Sequence, residues 1–158
     1  MLAPYTGDLE VLEGSVDKAI LEANEEVTAR LEALAGRLTD ADLLRDLGGG
    51  WHVSVAFAHL AFWDRRVEYM LSRWKNDGVP HEELDDDVVN HALEFQLVAL
   101  EPRTAVRLCI EAAKAADAAI AATPEAVANQ VIAEDHAYLL NRSGHRGEHI
   151  EQIEAVLG

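Results

Sequence analysis

Apolar residues recur at helical spacing along almost the whole sequence, and this pattern constrains the fold more than any other feature. The first series steps by 7, 4, 3 and 4 residues and consists of Ile20, Val27, Leu31, Leu34 and Leu38. Such steps place the side chains on one face of a helix. The spacing therefore predicts a helix from about Ser15 to Leu38, followed by a loop at the glycines of residues 48–50.

Four further helices follow from the same pattern. The second is predicted from Trp51–Ser54 to about Lys75, and a short one from about Asp86 to Ala99. The fourth segment runs from about Arg103 to Ala122, and the last from about Glu134 to Leu157. No pair of strands and no internal repeat is predicted. We expect an all-α fold, a four-helix bundle with one extra short helix outside it, in a single domain over residues 1–158.

The charge of the chain excludes several classes of partner. It has 13 basic and 29 acidic side chains, a net charge of −16. Binding to nucleic acid or to anionic membranes needs basic surfaces. No apolar run reaches the roughly 20 residues of a membrane span, and the N-terminus lacks the pattern of a signal peptide. We therefore expect a cytoplasmic protein that acts on a small molecule, with no nucleic acid or membrane partner.

Two of the seven histidines share one face of the last predicted helix. His145 and His149 are four residues apart, so their side chains project about 40° apart around the helix axis. Ile153 and Val156 fall on the same side, so this face should point into the core. Buried imidazoles are costly unless their nitrogens are satisfied, and coordination of a metal would satisfy them.

His59 is the best candidate for a third ligand. It lies in the middle of the second predicted helix, on the face shared with Trp63, Val67 and Met70. Three imidazoles from two helices would leave coordination positions open, as in catalytic metal sites. The alternative is a set of core histidines that are hydrogen-bonded and hold no metal.

The remaining candidates point less clearly to chemistry. Residues 145–149 also spell H-x-x-E-H, in which Glu148 would act as a base, but a protease of that type needs a further ligand from another segment. His52 is about two helical turns from His59, roughly 10 Å, which is too far for the same metal. Arg66 is predicted either to meet a carboxylate of a substrate or to extend to the surface. Cys109 is predicted to be a buried structural residue.

Three segments, in order, resemble the DinB-like superfamily. WHVSVAFAHLAFWDRRVE (residues 51–68) resembles the second helix of that family, in which Trp opens the helix and His-Leu-Ala and Trp-Asp-Arg follow. DDDVVN (residues 85–90) looks like the start of its third segment. HRGEHIEQIEAVL (residues 145–157) resembles its last helix. His52 departs from the pattern, because Ser or Thr commonly caps the helix there; Ser54 is the alternative cap.

The resemblance implies a function as well as a fold. It implies a four-helix bundle in which His59, His145 and His149 hold a divalent transition metal such as zinc, nickel or iron. Characterised members use low-molecular-weight thiols, including mycothiol, for S-transfer or isomerisation, and members often form dimers. We therefore expect a metal-dependent enzyme with a thiol cosubstrate and a homodimeric state. A non-catalytic metal-binding or interaction module is the alternative.

Overall fold

The computed structural model describes residues 16–81 and 83–158, and these residues are mostly helical, as predicted. The helices are α1 (Lys18–Arg37), α2 (Asp40–Leu43), α3 (Val53–Asp77), α4 (Asp86–Ala99), α5 (Pro102–Ala121), α6 (Glu125–Ala133) and α7 (Ser143–Leu157). Two short strands, β1 (Asp46–Gly48) and β2 (Trp51–His52), precede α3, and a 3-10 turn covers Ala137–Leu139. Two predictions concern residues outside the described ranges. They are the start of the first helix at about Ser15 and the lack of a signal peptide in residues 1–14.

Local sequence signals set the ends of several helices. The Asp17 side chain accepts a hydrogen bond from the Ala19 amide at the start of α1, and Asp85 accepts one from Val88 at the start of α4. Such caps satisfy amides that have no partner within the helix. Pro102 occupies the first position of α5, where a missing N–H costs nothing. Pro102 therefore begins a helix and does not kink one.

The long helices pack through the faces that the periodicity predicts. α3 lies along α5, while α1 contacts both α5 and α7, and α3 also contacts α7. Most of the buried residues of α5 are alanines, which permits close approach of a neighbouring helix. One apolar cluster includes Leu31, Leu34, Phe57 and Ile153. None of the helices within the described ranges is both long enough and apolar enough to cross a membrane.

The predicted absence of strands is wrong at one place. β1 and β2 form a small antiparallel hairpin in which Asp46 pairs with His52 and Gly48 with Trp51. Gly49 and Gly50 connect the strands with φ values of 64° and 86°, which glycine adopts without steric cost. Strands of three and two residues are too short to show alternation in a sequence. The hairpin matters because its second strand, Trp51–His52, directly precedes α3.

The last helix begins later than predicted. The segment from Glu134 was expected to be continuous helix, but α6 ends at Ala133 and Asp135 adopts a left-handed φ of 62°. The 3-10 turn follows, and the Asn141 side chain then accepts a hydrogen bond from the Ser143 amide at 3.1 Å, where α7 begins. The short helices α2 and α6 were therefore not predicted, whereas α4 is the one extra helix that was.

Candidate metal centre

α3 and α7 bring His59, His145 and His149, called here the histidine group, into contact. His59 is 5% exposed, and the two α7 histidines are half-buried. The ring centroids are 4.9 to 5.1 Å apart. One ligand atom from each ring lies within 4.8 Å of the other two, and no other histidine, cysteine or carboxylate in the described ranges joins this group. Two helices that are distant in sequence thus bring three histidines together.

The spacing of the ring nitrogens suits one metal ion. Imidazole nitrogens bind zinc at about 2.0–2.1 Å, so a tetrahedral ion separates its ligand nitrogens by roughly 3.3 Å. Nε2 of His59 and Nε2 of His145 lie 3.0 Å apart. A ligand atom of His149 lies within 4.8 Å of ligand atoms of both other histidines, and three ligands leave at least one coordination position open.

Burial keeps the histidine group neutral. Desolvation is the main cause that lowers the pKa of His59 from 6.5 to about 3 and that of His145 to about 2, and the Arg142 charge adds to both shifts. Desolvation also lowers the pKa of His149, although the hydrogen bond that His149 donates to Gln152 acts in the opposite direction. Neutral imidazole is the form that binds a metal, so the site needs no deprotonation at neutral pH.

The α7 histidines have different neighbours at Nδ1. Nδ1 of His149 lies 3.0 Å from the Gln152 carbonyl oxygen Oε1, so Nδ1 carries the proton and Nε2 is free to bind a metal, the usual arrangement. Nδ1 of His145 instead lies 2.9 Å from Nη2 of Arg142, which can only donate. His145 therefore carries its proton on Nε2 in this arrangement. Binding of a metal at that nitrogen requires the Arg142 guanidinium to move away.

Two tryptophans flank the histidine group. The Trp51 ring, held at the end of the hairpin, lies 5.0 Å from the His59 ring and stacks on His149 at 6.3 Å. The Trp63 ring contacts the edge of His59 at 6.2 Å, and its Nε1 donates a hydrogen bond to Asn90 of α4 at 3.0 Å. Apolar rings of this kind exclude water from one side of a site and strengthen electrostatic interactions within it.

A cluster of charged residues lies beside the histidine group, and sequence reasoning missed it. This buried ion cluster consists of Asp64, Asp117, Arg142 and Arg146. The Asp64 carboxylate accepts hydrogen bonds from Nε of Arg142 at 2.9 Å and from Nε of Arg146 at 2.8 Å. Arg146 also donates to Asp117 at 2.7 Å and to Thr28 at 2.8 Å. Two carboxylates balance two guanidinium groups, so the cluster is neutral overall.

The helical pattern contained a signal for this cluster. Arg146 is 0% exposed and lies on the same stripe as Ile150 and Ile153, at steps of four and three residues. Asp64, also 0% exposed, lies on the stripe of Leu60 and Val67. A carboxylate and a guanidinium that each interrupt an apolar stripe are expected to pair across the interface, because a single buried charge is costly.

The other histidines lie apart from the centre. His81 pairs with Glu134 at the surface, and His91 lies 3.7 Å from Glu94. His136 falls within the bounds predicted for the last helix, but it precedes the 3-10 turn and stacks on Trp74.

Four other residues that the sequence singled out also lie outside the histidine group. His52 and Ser54 hydrogen-bond to each other at 2.9 Å, and neither side chain caps α3, so the predicted Ser54 cap is wrong. Glu148 is exposed. Cys109 is fully buried, as predicted, and burial raises the pKa of its thiol. Its thiolate is therefore disfavoured, which leaves it a structural residue.

Comparison with known proteins found no similar protein. No model of a protein family matches the sequence, and neither the curated proteins nor the solved structures that were searched contain a match. Membership of the DinB-like superfamily, the thiol cosubstrate and the homodimer stay predictions.

Proposed function

We propose that this chain is a metal-dependent enzyme of the DinB-like type, in which the long helices form a four-helix bundle around a three-histidine metal site. A divalent transition metal, zinc, nickel or iron, would be held by His59, His145 and His149. The observation that carries the proposal is the convergence of these three neutral imidazoles on one point with no fourth ligand from the described residues. An incomplete ligand set favours chemistry over a purely structural metal.

The proposed reaction is S-transfer or isomerisation with a low-molecular-weight thiol of the mycothiol type. A bound metal supplies Lewis acidity, which favours the thiolate form of a thiol cosubstrate. The choice of a thiol rests on the family resemblance. It agrees with the structure in one respect: Cys109, the one thiol of the chain, is buried, so the nucleophile has to come from a cosubstrate.

The protein's own residues would orient and shield the site. Gln152 holds the His149 proton on Nδ1 and so leaves Nε2 available. Trp51 covers His59 and His149 on one side. Asp64 of α3 binds Arg142, which directly precedes α7, and Arg146 within α7, and α7 carries two of the three proposed ligands. These contacts place the ligands before a metal arrives, which reduces the ordering that binding requires.

A metal-free core is the competing interpretation, and one contact favours it. The 3.0 Å contact between the Nε2 atoms of His59 and His145 is a hydrogen bond when His145 carries its proton there, as its contact with Arg142 requires. That arrangement satisfies both nitrogens without a metal. The two interpretations differ in a measurable quantity, the metal content of the protein.

The first experiment is metal analysis of untagged protein prepared without chelators. We expect near-stoichiometric transition metal in the wild type, and its loss in a folded His145→Ala, His149→Ala double variant. The matched control is His81→Ala, His91→Ala, which also removes two histidines but leaves the histidine group intact; it should keep the metal. A wild type that carries no metal and takes up none on titration would overturn the proposal. Metal-loaded protein is then assayed for thiol transfer to a series of electrophiles.

A further inference from the structure

A groove separate from the histidine group runs along α3, between the C-terminal end of α4 and the middle of α5. Its volume is about 460 Å³, within the range of roughly 300–1,000 Å³ that is typical of small-molecule sites. The apolar part of its wall includes Phe62, Tyr69, Leu97, Leu100 and Leu108.

Two adjacent arginines line this groove, and only one has a carboxylate partner. Arg65 pairs with Glu68 at 2.5 Å. Arg66 is half-buried, its Cζ lies 5.5 Å from the centre of the Trp63 ring, and its Nη1 is buried with no hydrogen-bond partner in the described part of the chain. Buried donors of this kind are rare, and each calls for an explanation. The chain has 29 acidic side chains and 13 basic ones, yet no carboxylate in the described part of the chain pairs with Arg66, so its guanidinium can take an acceptor from a ligand in the groove.

We propose that this groove binds a small amphiphilic anion, an organic carboxylate or sulfonate with an apolar body. The Arg66 guanidinium would bind the anionic group, and the apolar wall would bury the body. An uncharged apolar molecule leaves Arg66 without an acceptor, whereas a small inorganic anion makes no use of the wall. Hydrogen bonds between a guanidinium and a carboxylate are charge-assisted and stronger than neutral ones, so Arg66 would determine the selectivity.

Trp63 separates the groove from the histidine group. One part of its ring contacts His59, and the Arg66 guanidinium lies over the same ring. Binding in the groove needs neither a metal nor the α7 histidines. The proposed anion site in the groove can therefore be correct or wrong independently of the proposed enzymatic function.

The test uses decanoate and decanol, which share an apolar chain and differ in the anionic group. Binding to the metal-free full-length protein is measured by isothermal titration calorimetry. We expect saturable binding of one decanoate per chain, at least about tenfold tighter than decanol, since one charge-assisted contact is worth that much. Equal affinities for the two compounds, or no saturable binding of decanoate, would overturn the proposal.

Arg66→Gln and Arg65→Gln form a matched pair of variants in the same wall. Arg66→Gln should remove the preference for decanoate over decanol, while Arg65→Gln should change the decanoate affinity less than about twofold, because Arg65 is already paired with Glu68. Equal weakening by both variants would indicate a general charge effect and contradict the assignment.

Two further variants guard against misfolding and separate the two sites. Leu108→Glu places a carboxylate in the half-buried wall of the groove and should abolish decanoate binding without an arginine being removed; unchanged binding contradicts the location. His145→Ala, His149→Ala should bind decanoate as the wild type does. A loss of decanoate binding in that variant, if it is folded by circular dichroism, would show that the ligand occupies the histidine site instead and would overturn the proposal.

Discussion

The buried ion cluster and the histidine group lie side by side between α3 and α7, and they differ in how completely their atoms are paired. Asp64 binds both arginines, and Arg146 binds Asp117, Thr28 and the Ala113 carbonyl. The histidine group has one internal hydrogen bond, between His59 and His145. Buried polar atoms that are fully paired are explained by the fold alone. Each of the three imidazoles instead places a ring nitrogen within 4.8 Å of the other two, and the proposed metal site rests on this arrangement.

Arg142 connects the two clusters. Its Nε binds Asp64, and its Nη2 binds Nδ1 of His145. The ion cluster therefore sets the position of one candidate ligand directly. A disturbance of the ion cluster should therefore affect stability and metal binding together.

The largest expected effect is on stability, from Asp64→Asn. This change leaves Arg142 and Arg146 with the single carboxylate of Asp117, and unpaired buried charge typically costs roughly 3–5 kcal/mol. We expect the free energy of unfolding, measured by urea denaturation, to fall by that amount.

The control for Asp64→Asn is Glu154→Gln, which breaks an ion pair with Arg37 whose side chains are 58% and 45% exposed. It should cost at most about 1 kcal/mol. Similar losses from the two variants would show that the ion cluster contributes no more than a surface pair, and the contrast between the two clusters would disappear.

Acid should destabilise the metal-free protein through the histidine group. Burial lowers the pKa of folded His59 to about 3 from an ordinary 6.5, so below pH 6.5 the unfolded chain binds a proton that the folded protein does not. The contribution of these histidines to the free energy of unfolding is therefore complete above pH 6.5. Below pH 6.5, the free energy of unfolding falls by about 1.4 kcal/mol per pH unit for each such histidine. Urea denaturation from pH 7.5 to 5.5 measures the slope. The slope should be smaller in His145→Ala, His149→Ala; an unchanged slope would assign the effect to other groups.

A smaller effect, on metal affinity alone, is expected from Gln152→Leu. The change removes the acceptor at Nδ1 of His149, and loss of such an outer partner typically weakens metal binding by about 10-fold or more. Gln152→Glu keeps an acceptor and should retain the affinity. Competition against a chelator measures both variants, and urea denaturation should find their stability unchanged. Equal affinity in Gln152→Leu and the wild type would contradict the role of this contact.

Much of the fold was predictable from periodicity, and the exceptions have local causes. α4 has the predicted bounds, and α1, α3 and α5 differ from the prediction by only a few residues, because long amphipathic helices carry a repeated signal. The hairpin was missed because its strands are too short to show a pattern. The break before α7 depends on Asp135, which adopts a left-handed conformation that no apolar periodicity reports.

The site was predictable in part. His59, His145 and His149 were found because each lies on a face that periodicity assigns to the core. The ion cluster was missed because apolar periodicity reports which face of a helix is buried and does not report the partner of a charged residue on that face. Asp64 and Arg146 both interrupt apolar stripes, and pairing them required knowledge of which helices are neighbours.

The sequence by itself determined that the chain is helical, strongly acidic and able to place three histidines on buried helix faces, because periodicity and composition are local properties. The tertiary structure decided what those faces meet. It placed α3 against α7, so that His59 reaches His145, and it set Arg142 rather than an acceptor at Nδ1 of His145. It also left Nη1 of Arg66 buried beside an apolar groove. Contacts between residues distant in sequence depend on how whole helices pack, and helical periodicity within one segment does not specify that packing.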